Sequence, residues 1–560
     1  MESDRSDKRL GESAAREILG PNPFIGFRGE DILASAGALA QQAVNQPTLV
    51  LEAQAGLVRD IAAVLSGNSK LKADPKDKRF QDAAWSENPF YKVYLGSYLA
   101  WTKSLDTFFE GATFEGKTKE QARFVTQLIS DALAPSNSLL NPTAMKRALD
   151  TGGQSVVDGL RNMMGDVLDN GGMPAMVDKS KFKVGENLAL SKGSVVFRND
   201  VLELIQYKAL TDEVYERPIL LVPPQINKYY LFDLAPESSL IRFLCESGIE
   251  CFTISWRNPT KEHRDWNLDT YVGALDAAIA AVRDISGQSQ INIQGACSGA
   301  MTLSALLGYY AATGNATIAS ATLAVAVLDQ DAESTLGLFA SKDSVRAAKA
   351  ASAARGVLDG QDMGRIFAWL RPNDLVWNYW INNYLLGKDP PAYDVLYWNA
   401  DSTRLPAAFH AQLLDTYVEN SFKHAGAVTV LGHPIDLGKV TVDKYFIAGI
   451  TDHITPWKGV YTTMLMFGGQ NEFILSAAGH IQSIINPPSA GTKRTFFMNA
   501  ARPADPDAWL EGARNVKGSW WTNWSEWIGK HAGAKRPAPL EAGNGTYKPL
   551  GEAPGTYVFD

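Results

Sequence analysis

Cysteine and histidine are scarce in this 560-residue chain, which has three cysteines and seven histidines. Cys245, Cys251 and Cys297 show neither the paired spacing of a metal site nor the density of a disulfide framework, so we expect no metal. Cys245 and Cys251 flank a short polar turn and are predicted to be small, buried apolar side chains. Cys297 is therefore the thiol with a candidate chemical role.

An excess of positive charge and a long apolar run are also missing. The chain has 53 Lys and Arg against 61 Asp and Glu, a net charge of −8, which argues against a general nucleic-acid binder. A local basic pocket for a phosphorylated substrate stays open. The polar start, MESDRSDKRLGESAAREIL, has no apolar signal core, and no stretch is long enough to span a bilayer. We predict a cytoplasmic protein without a membrane span, in which Cys297 stays reduced.

The pattern of apolar residues changes near residue 190. Residues 31–170 have helical spacing, whereas Ser194–Tyr207 predicts the first strands, an antiparallel pair. We place a mainly helical N-terminal domain at 1–190 and a second domain at 191–560. In the second domain, helices alternate with near-continuous apolar strands, which is typical of a mostly parallel sheet covered on both faces. The predicted strands are 218–226, 249–256, 291–294, 320–329, 444–450 and 472–479.

A long helical, aromatic-rich stretch interrupts this alternation. We predict that residues 330–441 form a cap insertion over one end of the sheet, and that strands resume only at 444. Near the C-terminus, Trp520, Trp524 and Trp527 share one helical face and are predicted to pack in the core. The fold class predicted is α/β, specifically an α/β-hydrolase fold with a helical cap.

The most specific motif is INIQGACSGAM, where Cys297 stands between Gly295 and Gly299, after a strand and before a helix. This is the pattern of a nucleophile elbow, a strained turn that exposes the nucleophile at a helix N-terminus. Hydrolases of this pattern usually carry serine there. A thiolate attacking a thioester yields another thioester of similar energy, which favours acyl transfer.

An α/β-hydrolase site needs a nucleophile, an acid and a base in that chain order. Asp452 follows one late predicted strand, and His480 follows the next, so we predict a Cys297–His480–Asp452 triad. His453 adjoins Asp452 and is an auxiliary candidate, either a spare base or a structural hydrogen-bonding residue. The remaining histidines are predicted to lie at the surface: His263, His410, His424, His433 and His531.

The tetrahedral oxyanion of acyl transfer needs two preorganised N–H donors. One predicted donor is the backbone amide of Ser298, the residue after the nucleophile. The other is the amide of Ile226, after an earlier strand, because Pro223 and Pro224 in that loop have no N–H.

Several longer sequence motifs, in addition to the elbow, carry a resemblance to a known family. PPQINKYYLFDL, SWRNPT, GACSG, LRPNDLVWNYWINNYLLG, DHITPW and GHIQSIINPP occur in order, with LNPTAMKRALDTGG before them and PGTYV at the end. Together they resemble the class II, medium-chain-length polyhydroxyalkanoate synthases of the pseudomonad type, over almost the whole chain.

The resemblance implies a polymerase that joins (R)-3-hydroxyacyl-CoA into polyester and releases CoA, which is part of the substrate, so no separate cofactor is expected. It implies Cys297 as the acylated nucleophile, His480 as the general base and Asp452 as the acid, which also helps to activate the 3-hydroxyl. It further implies a homodimer, with the Trp398 region as a candidate interface, on cytoplasmic polyester granules with their associated proteins.

Two positions depart from the family pattern. Ala326 and Ala478 stand where serine is expected, and Gln482 lies just beyond His480. We treat these three as substrate-pocket candidates and predict that shorter acyl groups are also admitted. Two alternatives stay open: a cysteine-dependent lactone or polyester hydrolase that releases free acid, and a granule-coating protein with a vestigial elbow.

Overall fold

The computed structural model describes residues 29–114, 118–331, 342–369, 371–489 and 492–560. Contacts divide the chain into two compact units. One contains the helices up to Asp178 together with Arg365–Tyr393, and the other contains Lys179–Gly364 and Asp394–Asp560. The domain boundary at residue 190 and the cap over 330–441 stay predictions. The N-terminal segment MESDRSDKRLGESAAREIL and cap residues 332–341 lie outside the described residues.

The first unit is helical, as predicted. Besides its α-helices, this unit has two turns with π-helical hydrogen bonding, Asn373–Trp377 and Trp380–Leu385. A small aromatic core forms around Phe80, Trp85 and Leu95. The helices are α1 (Gly29–Asn45), α2 (Pro47–Leu65), α3 (Ala84–Glu87), α4 (Pro89–Gly111), α5 (Thr118–Ala132), α6 (Pro142–Asp150) and α7 (Gln154–Asp169).

The second unit is built on an eleven-stranded sheet. Its strands are β1 (Gly193–Arg198), β2 (Leu202–Tyr207), β3 (Ile219–Val222), β4 (Cys251–Trp256), β5 (Ile291–Ala296), β6 (Ile318–Ala324), β7 (Asp443–Gly449), β8 (Asn471–Ser476), β9 (Thr495–Met498), β10 (Arg514–Lys517) and β11 (Gly551–Glu552). The spatial order is β10-β9-β8-β7-β6-β5-β3-β4-β2-β1-β11.

The centre of this sheet, from β8 to β4, is parallel, and the flanking strands are antiparallel. The predicted antiparallel pair is confirmed as β1 and β2, with Ser194 opposite Gln206. Strands β3 and β5 are buried along their whole length, because helices cover both faces of a parallel sheet. The predicted α/β-hydrolase fold is therefore confirmed by the sheet and its alternating helices.

The helices of this unit, with those of the predicted cap, are α8 (Leu240–Glu246), α9 (Leu268–Ser286), α10 (Ser298–Thr313), α11 (Lys342–Arg355), α12 (Gly360–Trp369), α13 (Asp394–Ala400), α14 (Ala407–Glu419), α15 (Trp457–Leu465), α16 (His480–Ile484), α17 (Pro506–Glu511) and α18 (Trp520–His531). Asn267 caps the start of α9, and Gly287 ends it in the left-handed conformation. No helix in the described residues is long and apolar enough to cross a bilayer.

Some predictions about the strands of this unit were wrong. Strands do occur before residue 443, as the short antiparallel pairs Val357–Leu358 with Leu405–Pro406 and Thr429–Val430 with His433–Pro434. The predicted strand 218–226 ends at Val222, because Pro223 cannot donate to a sheet. Trp398 itself is only 2% exposed, and the interface in its region stays a prediction.

Candidate active site

The nucleophile candidate lies on a strained turn between β5 and α10. Cys297 has φ 51° and ψ −124°, a positive φ that is uncommon for a residue with a side chain. Its backbone N–H donates to Ala324 at the end of β6, at 2.9 Å. The thiol is half-buried. The neighbouring strand therefore holds the turn in a conformation that the chain would otherwise disfavour.

The two glycines of the motif allow close backbone approach at this turn. A β-carbon on Gly299 would lie 2.5 Å from the carbonyl oxygens of both Val222 and Pro223. One on Gly295 would lie 2.7 Å from the Cα of Ala300. Such distances are too short for any side chain, so glycine is required at both positions.

The acid and base candidates come together at the ends of β7 and β8. His480, the first residue of α16, donates from Nδ1 to Asp452 Oδ2 at 2.7 Å. The Thr455 hydroxyl donates to the same oxygen at 2.7 Å and lies 3.1 Å from His480 Nδ1. Asp452 Oδ1 accepts the backbone N–H groups of Ile454 and Thr455, each at 2.9 Å. Four donors thus surround a carboxylate whose side chain has no solvent exposure.

This pairing shifts both pKa values away from those of the free side chains. Burial alone would raise the pKa of Asp452, but the His480 charge and the hydrogen bonds from His480 and Thr455 lower it. Burial alone would lower the pKa of His480, but Asp452 and the Cys297 thiol together raise it to about 10. The charged forms of the acid and the base therefore stabilise each other.

Cys297 is the third member of this group. Its side chain contributes to the raised pKa of the His480 imidazole. Because Nδ1 bonds Asp452, the ring nitrogen left for the thiol is Nε2. The other two thiols are buried, and burial raises the pKa of Cys245 to about 12 and that of Cys251 well above its ordinary value.

The predicted oxyanion donors lie on adjoining segments. Ser298 is the first residue of α10, and its hydroxyl accepts the backbone N–H of Gln225 at 3.0 Å. Ile226 follows Gln225 in the loop after β3 and is buried. The structure therefore brings the loop of Ile226 against the elbow.

The three pocket candidates lie in different environments. Ala326 is buried, two residues beyond Ala324, whose carbonyl binds the Cys297 amide. Ala478 is half-buried, and its carbonyl accepts the Thr451 N–H at 3.1 Å, next to Asp452. The side chain of Gln482 is exposed.

Of the other histidines, His453 is half-buried beside Asp452 and is not among the four donors to its carboxylate. The prediction that His410 lies at the surface was wrong. It is fully buried, and its Nδ1 lies 2.9 Å from the Ser352 hydroxyl. His410 and Leu414 are four residues apart in α14, so they share the buried face of that helix.

Thr455 was not predicted from the sequence. The sequence signal for it was DHIT, in which an Asp is followed three residues later by a Thr. An aspartate whose side chain accepts the N–H groups two and three residues later forms a common local turn. That turn brings the Thr455 hydroxyl back to Asp452 and His480.

Trp520, Trp524 and Trp527 are buried, as predicted. In addition, Trp520 and Trp521 donate from their indole N–H groups to the carbonyls of Ser483 at 2.7 Å and Ile484 at 3.0 Å. These carbonyls end α16, where no partner within the helix remains for them. Helix α18 therefore supports the short helix that begins at His480.

Two family models match parts of this chain. A family model described as "Poly-beta-hydroxybutyrate polymerase (PhaC) N-terminus" matches residues 76–244, and one described as "alpha/beta hydrolase fold" matches residues 218–487. Among solved structures, a monoacylglycerol lipase of Paleococcus ferrophilus is 15% identical, with a TM-score of 0.32, and aligns over 58% of this chain and 99% of its own.

Curated relatives match over nearly the whole chain. Poly(3-hydroxyalkanoate) polymerase 1 of Ectopseudomonas oleovorans is 47% identical over 558 residues, which is 100% of both chains. Poly(3-hydroxyalkanoate) polymerase 2 of the same organism is 47% identical over 96% of both chains. A poly(3-hydroxyalkanoate) polymerase subunit of Cupriavidus necator is 39% identical over 91% of this chain and 88% of its own.

Proposed function

The chain belongs to the poly(3-hydroxyalkanoate) polymerase family, and from that premise we propose that it joins (R)-3-hydroxyacyl-CoA units into polyester and releases CoA. The observation that supports this most directly is the half-buried thiol of Cys297, which contributes to the raised pKa of His480 in a hydrogen-bonded His480–Asp452 pair. A thiol nucleophile suits the transfer of acyl groups between thioesters.

In the first step, the proton of the Cys297 thiol lies on His480, whose raised pKa favours this thiolate–imidazolium pair, and the thiolate sulfur attacks the thioester carbonyl of the substrate. The N–H groups of Ser298 and Ile226 stabilise the oxyanion of the tetrahedral intermediate. The bond to the CoA sulfur then breaks, and CoA leaves as a thiol with the proton from His480. An acyl group remains on Cys297 as a thioester.

In the second step, the 3-hydroxyl of another hydroxyacyl group attacks that thioester in place of water. His480 takes the hydroxyl proton and returns it to the sulfur of Cys297 as the new ester forms. The family resemblance implies that the aspartate helps to activate this hydroxyl. Both oxygens of Asp452 already accept two hydrogen bonds each, which favours His480 as the base in both steps. The predicted cap, residues 330–441, would exclude water.

The test is to give purified protein (R)-3-hydroxydecanoyl-CoA, to follow thiol release and to size the acyl product, with Cys297→Ala as the control. We expect CoA release that depends on Cys297 and high-mass polyester as the product. Free hydroxy acid would instead identify a cysteine hydrolase. Polymer formed by Cys297→Ala would refute the acyl-enzyme.

The substrate is proposed to be of medium chain length, with tolerance of shorter acyl groups. The burial of Ala326 near the Cys297 turn and the place of Ala478 beside the acid loop support a pocket whose width and polarity differ from those that serine would set. Turnover of 3-hydroxybutyryl-CoA is expected to fall in Ala326→Ser and Ala478→Ser relative to 3-hydroxydecanoyl-CoA. A background rate with 3-hydroxybutyryl-CoA in the unmodified protein would contradict this.

We also propose a cytoplasmic homodimer associated with polyester granules and their proteins, as the family resemblance implies. Sedimentation of the free protein and of the protein with its polymer would test both statements. A monomer that stays apart from the polymer would contradict them.

A further inference from the structure

We propose that Thr403 is a positioning residue of the oxyanion hole, because it sets the direction in which the Ile226 N–H points. Thr403 lies between α13 and the short strand Leu405–Pro406. The inference rests on the proposed function in one respect, that Ile226 donates to the oxyanion.

Thr403 binds the backbone on both sides of Ile226. Its hydroxyl donates to the carbonyl of Gln225, and its N–H donates to the carbonyl of Ile226 at 3.1 Å. All three residues are buried, with exposures of 2–7%. One residue thus fixes the peptide groups on both sides of the Ile226 Cα, and the first of them carries the candidate donor.

Because the peptide bond is planar, this contact fixes the direction of the Ile226 N–H. The Gln225 carbonyl and the Ile226 N–H belong to one planar peptide group, and in a trans peptide they point in opposite directions. When the Thr403 hydroxyl holds the carbonyl, the N–H must face the other way. A flipped peptide would lose this bond and leave a buried carbonyl without it.

The opposite side of the loop is held by the elbow. Pro223 and Pro224 restrict the backbone before Gln225. The Gln225 N–H donates to the Ser298 hydroxyl at 3.0 Å, and its side-chain amide donates to the Thr302 hydroxyl at 2.7 Å. The remaining freedom is the rotation of the peptide group between Gln225 and Ile226, which Thr403 removes.

The segment that carries Thr403 is itself fixed. A β-carbon on Gly360 would lie 2.6 Å from the Thr403 carbonyl oxygen, so the two backbones are in direct contact. The next amide, of Arg404, donates to the Asn258 side chain at 2.9 Å. The same segment reaches the loop again where the Trp398 indole donates to the Lys228 carbonyl at 2.7 Å. A displacement of residues 398–403 would therefore reach the oxyanion site.

The test compares two reactions of Cys297, of which only one uses an oxyanion hole. Acylation by 3-hydroxydecanoyl-CoA in a single turnover passes through an oxyanion, whereas alkylation by iodoacetamide does not. Cys245 and Cys251 are buried, so alkylation located by peptide mass reports on Cys297. Thr403→Val removes the hydroxyl and keeps the shape, and Thr403→Ser restores it.

In Thr403→Val we expect acylation to slow by about 10- to 100-fold, somewhat less than the loss of a whole oxyanion donor. The KM and the rate of alkylation should stay within about twofold of those of the unmodified protein. Thr403→Ser should be acylated at close to the rate of the unmodified protein. Equal slowing of both reactions would assign Thr403 a merely structural role, and unchanged acylation would remove the role altogether. Free acid as the product of the unmodified protein would refute the polymerase, yet the comparison of the two reactions would still decide the role of Thr403.

Discussion

The two sides of the candidate site are held in place by different means. On the nucleophile side, backbone contacts dominate, with a positive φ at Cys297 and Val325 and with close approach at Gly299. On the acid–base side, side-chain hydrogen bonds dominate, with Asp452 and His480 at 2.7 Å and the Thr455 hydroxyl bonded to the same carboxylate.

This difference predicts different consequences of substitution. A tight backbone contact has no room for an added atom, so a change there should cost stability before it affects the reaction rate. A hydrogen-bonded side chain can be replaced by one of similar shape, so a change there should lower the rate while the fold persists.

The largest effect is expected from Asp452→Asn on the acid–base side. An amide cannot stabilise the charged imidazole, and it can hold the ring in the wrong tautomer. We expect kcat for CoA release to fall on the order of 10²- to 10⁴-fold. Initial rates measure this, and circular dichroism provides the check that the fold is retained. A loss below tenfold would show that Asp452 does not orient the base.

The next largest effect is expected from Gly299→Ala on the nucleophile side. The added methyl group would lie 2.5 Å from two carbonyl oxygens, so α10 or the loop after β3 must shift. We expect a loss of about 1–3 kcal/mol in the free energy of unfolding, measured in urea. Gly273→Ala in α9 is the matched control, because its nearest neighbour is 4.0 Å away, and a helical alanine should leave stability equal or higher. Equal stability of Gly299→Ala and the unmodified protein would remove the distinction between the two sides.

The residues that could be predicted from the sequence are those set by local pattern and strand order. Cys297, Asp452 and His480 each follow a strand of the parallel centre, and the carboxyl ends of parallel strands lie at one edge of a sheet. The short elbow motif and the alternation of strands and helices carry this information without any knowledge of distant contacts.

The residues that could not be predicted depend on contacts far apart in sequence. Thr403 and Gln225 are 178 residues apart, and no local pattern links them. The burial of His410 depends on which face of α14 meets the rest of the unit, and its polar side chain suggested the opposite face. Tertiary packing decides both cases.

A smaller effect should separate two tryptophans of α18. The Trp520 indole bonds Ser483 at the end of α16, whereas the Trp524 indole bonds the Thr322 hydroxyl in β6 at 2.8 Å. Replacement by phenylalanine leaves each acceptor without its donor, so we expect each variant to lose about 1–3 kcal/mol in urea unfolding. Only Trp520→Phe should also lower kcat, by a few fold, because α16 begins at His480. An equal fall in kcat for both variants would mean that support of α16 is not specific.

The last effect is a slope rather than a loss at one pH: it is the pH dependence of stability that the acid–base side adds. The pKa of His480 is about 10 in the folded protein, against an ordinary value near 6.5 in an unfolded chain. Between these values the folded state keeps a proton that the unfolded state has lost. The stabilisation is therefore complete below about pH 6.5 and is lost as the pH rises toward 10, by at most about 1.4 kcal/mol per pH unit.

Asp452 acts in the opposite direction, because its lowered pKa gives stability that is lost only as the pH falls below the ordinary range of aspartate. In Asp452→Asn, His480 loses the carboxylate that raises its pKa, so the fall in stability from pH 6.5 to 10 should become shallower. Urea unfolding of both proteins at pH 6, 7.5 and 9 gives the slope of the free energy of unfolding against pH for each protein. In the difference between the two slopes, the contributions of groups that titrate equally in both proteins cancel. Equal slopes would mean that the imidazole is not held in its charged form, and the acid–base side would then rest on hydrogen-bond geometry alone.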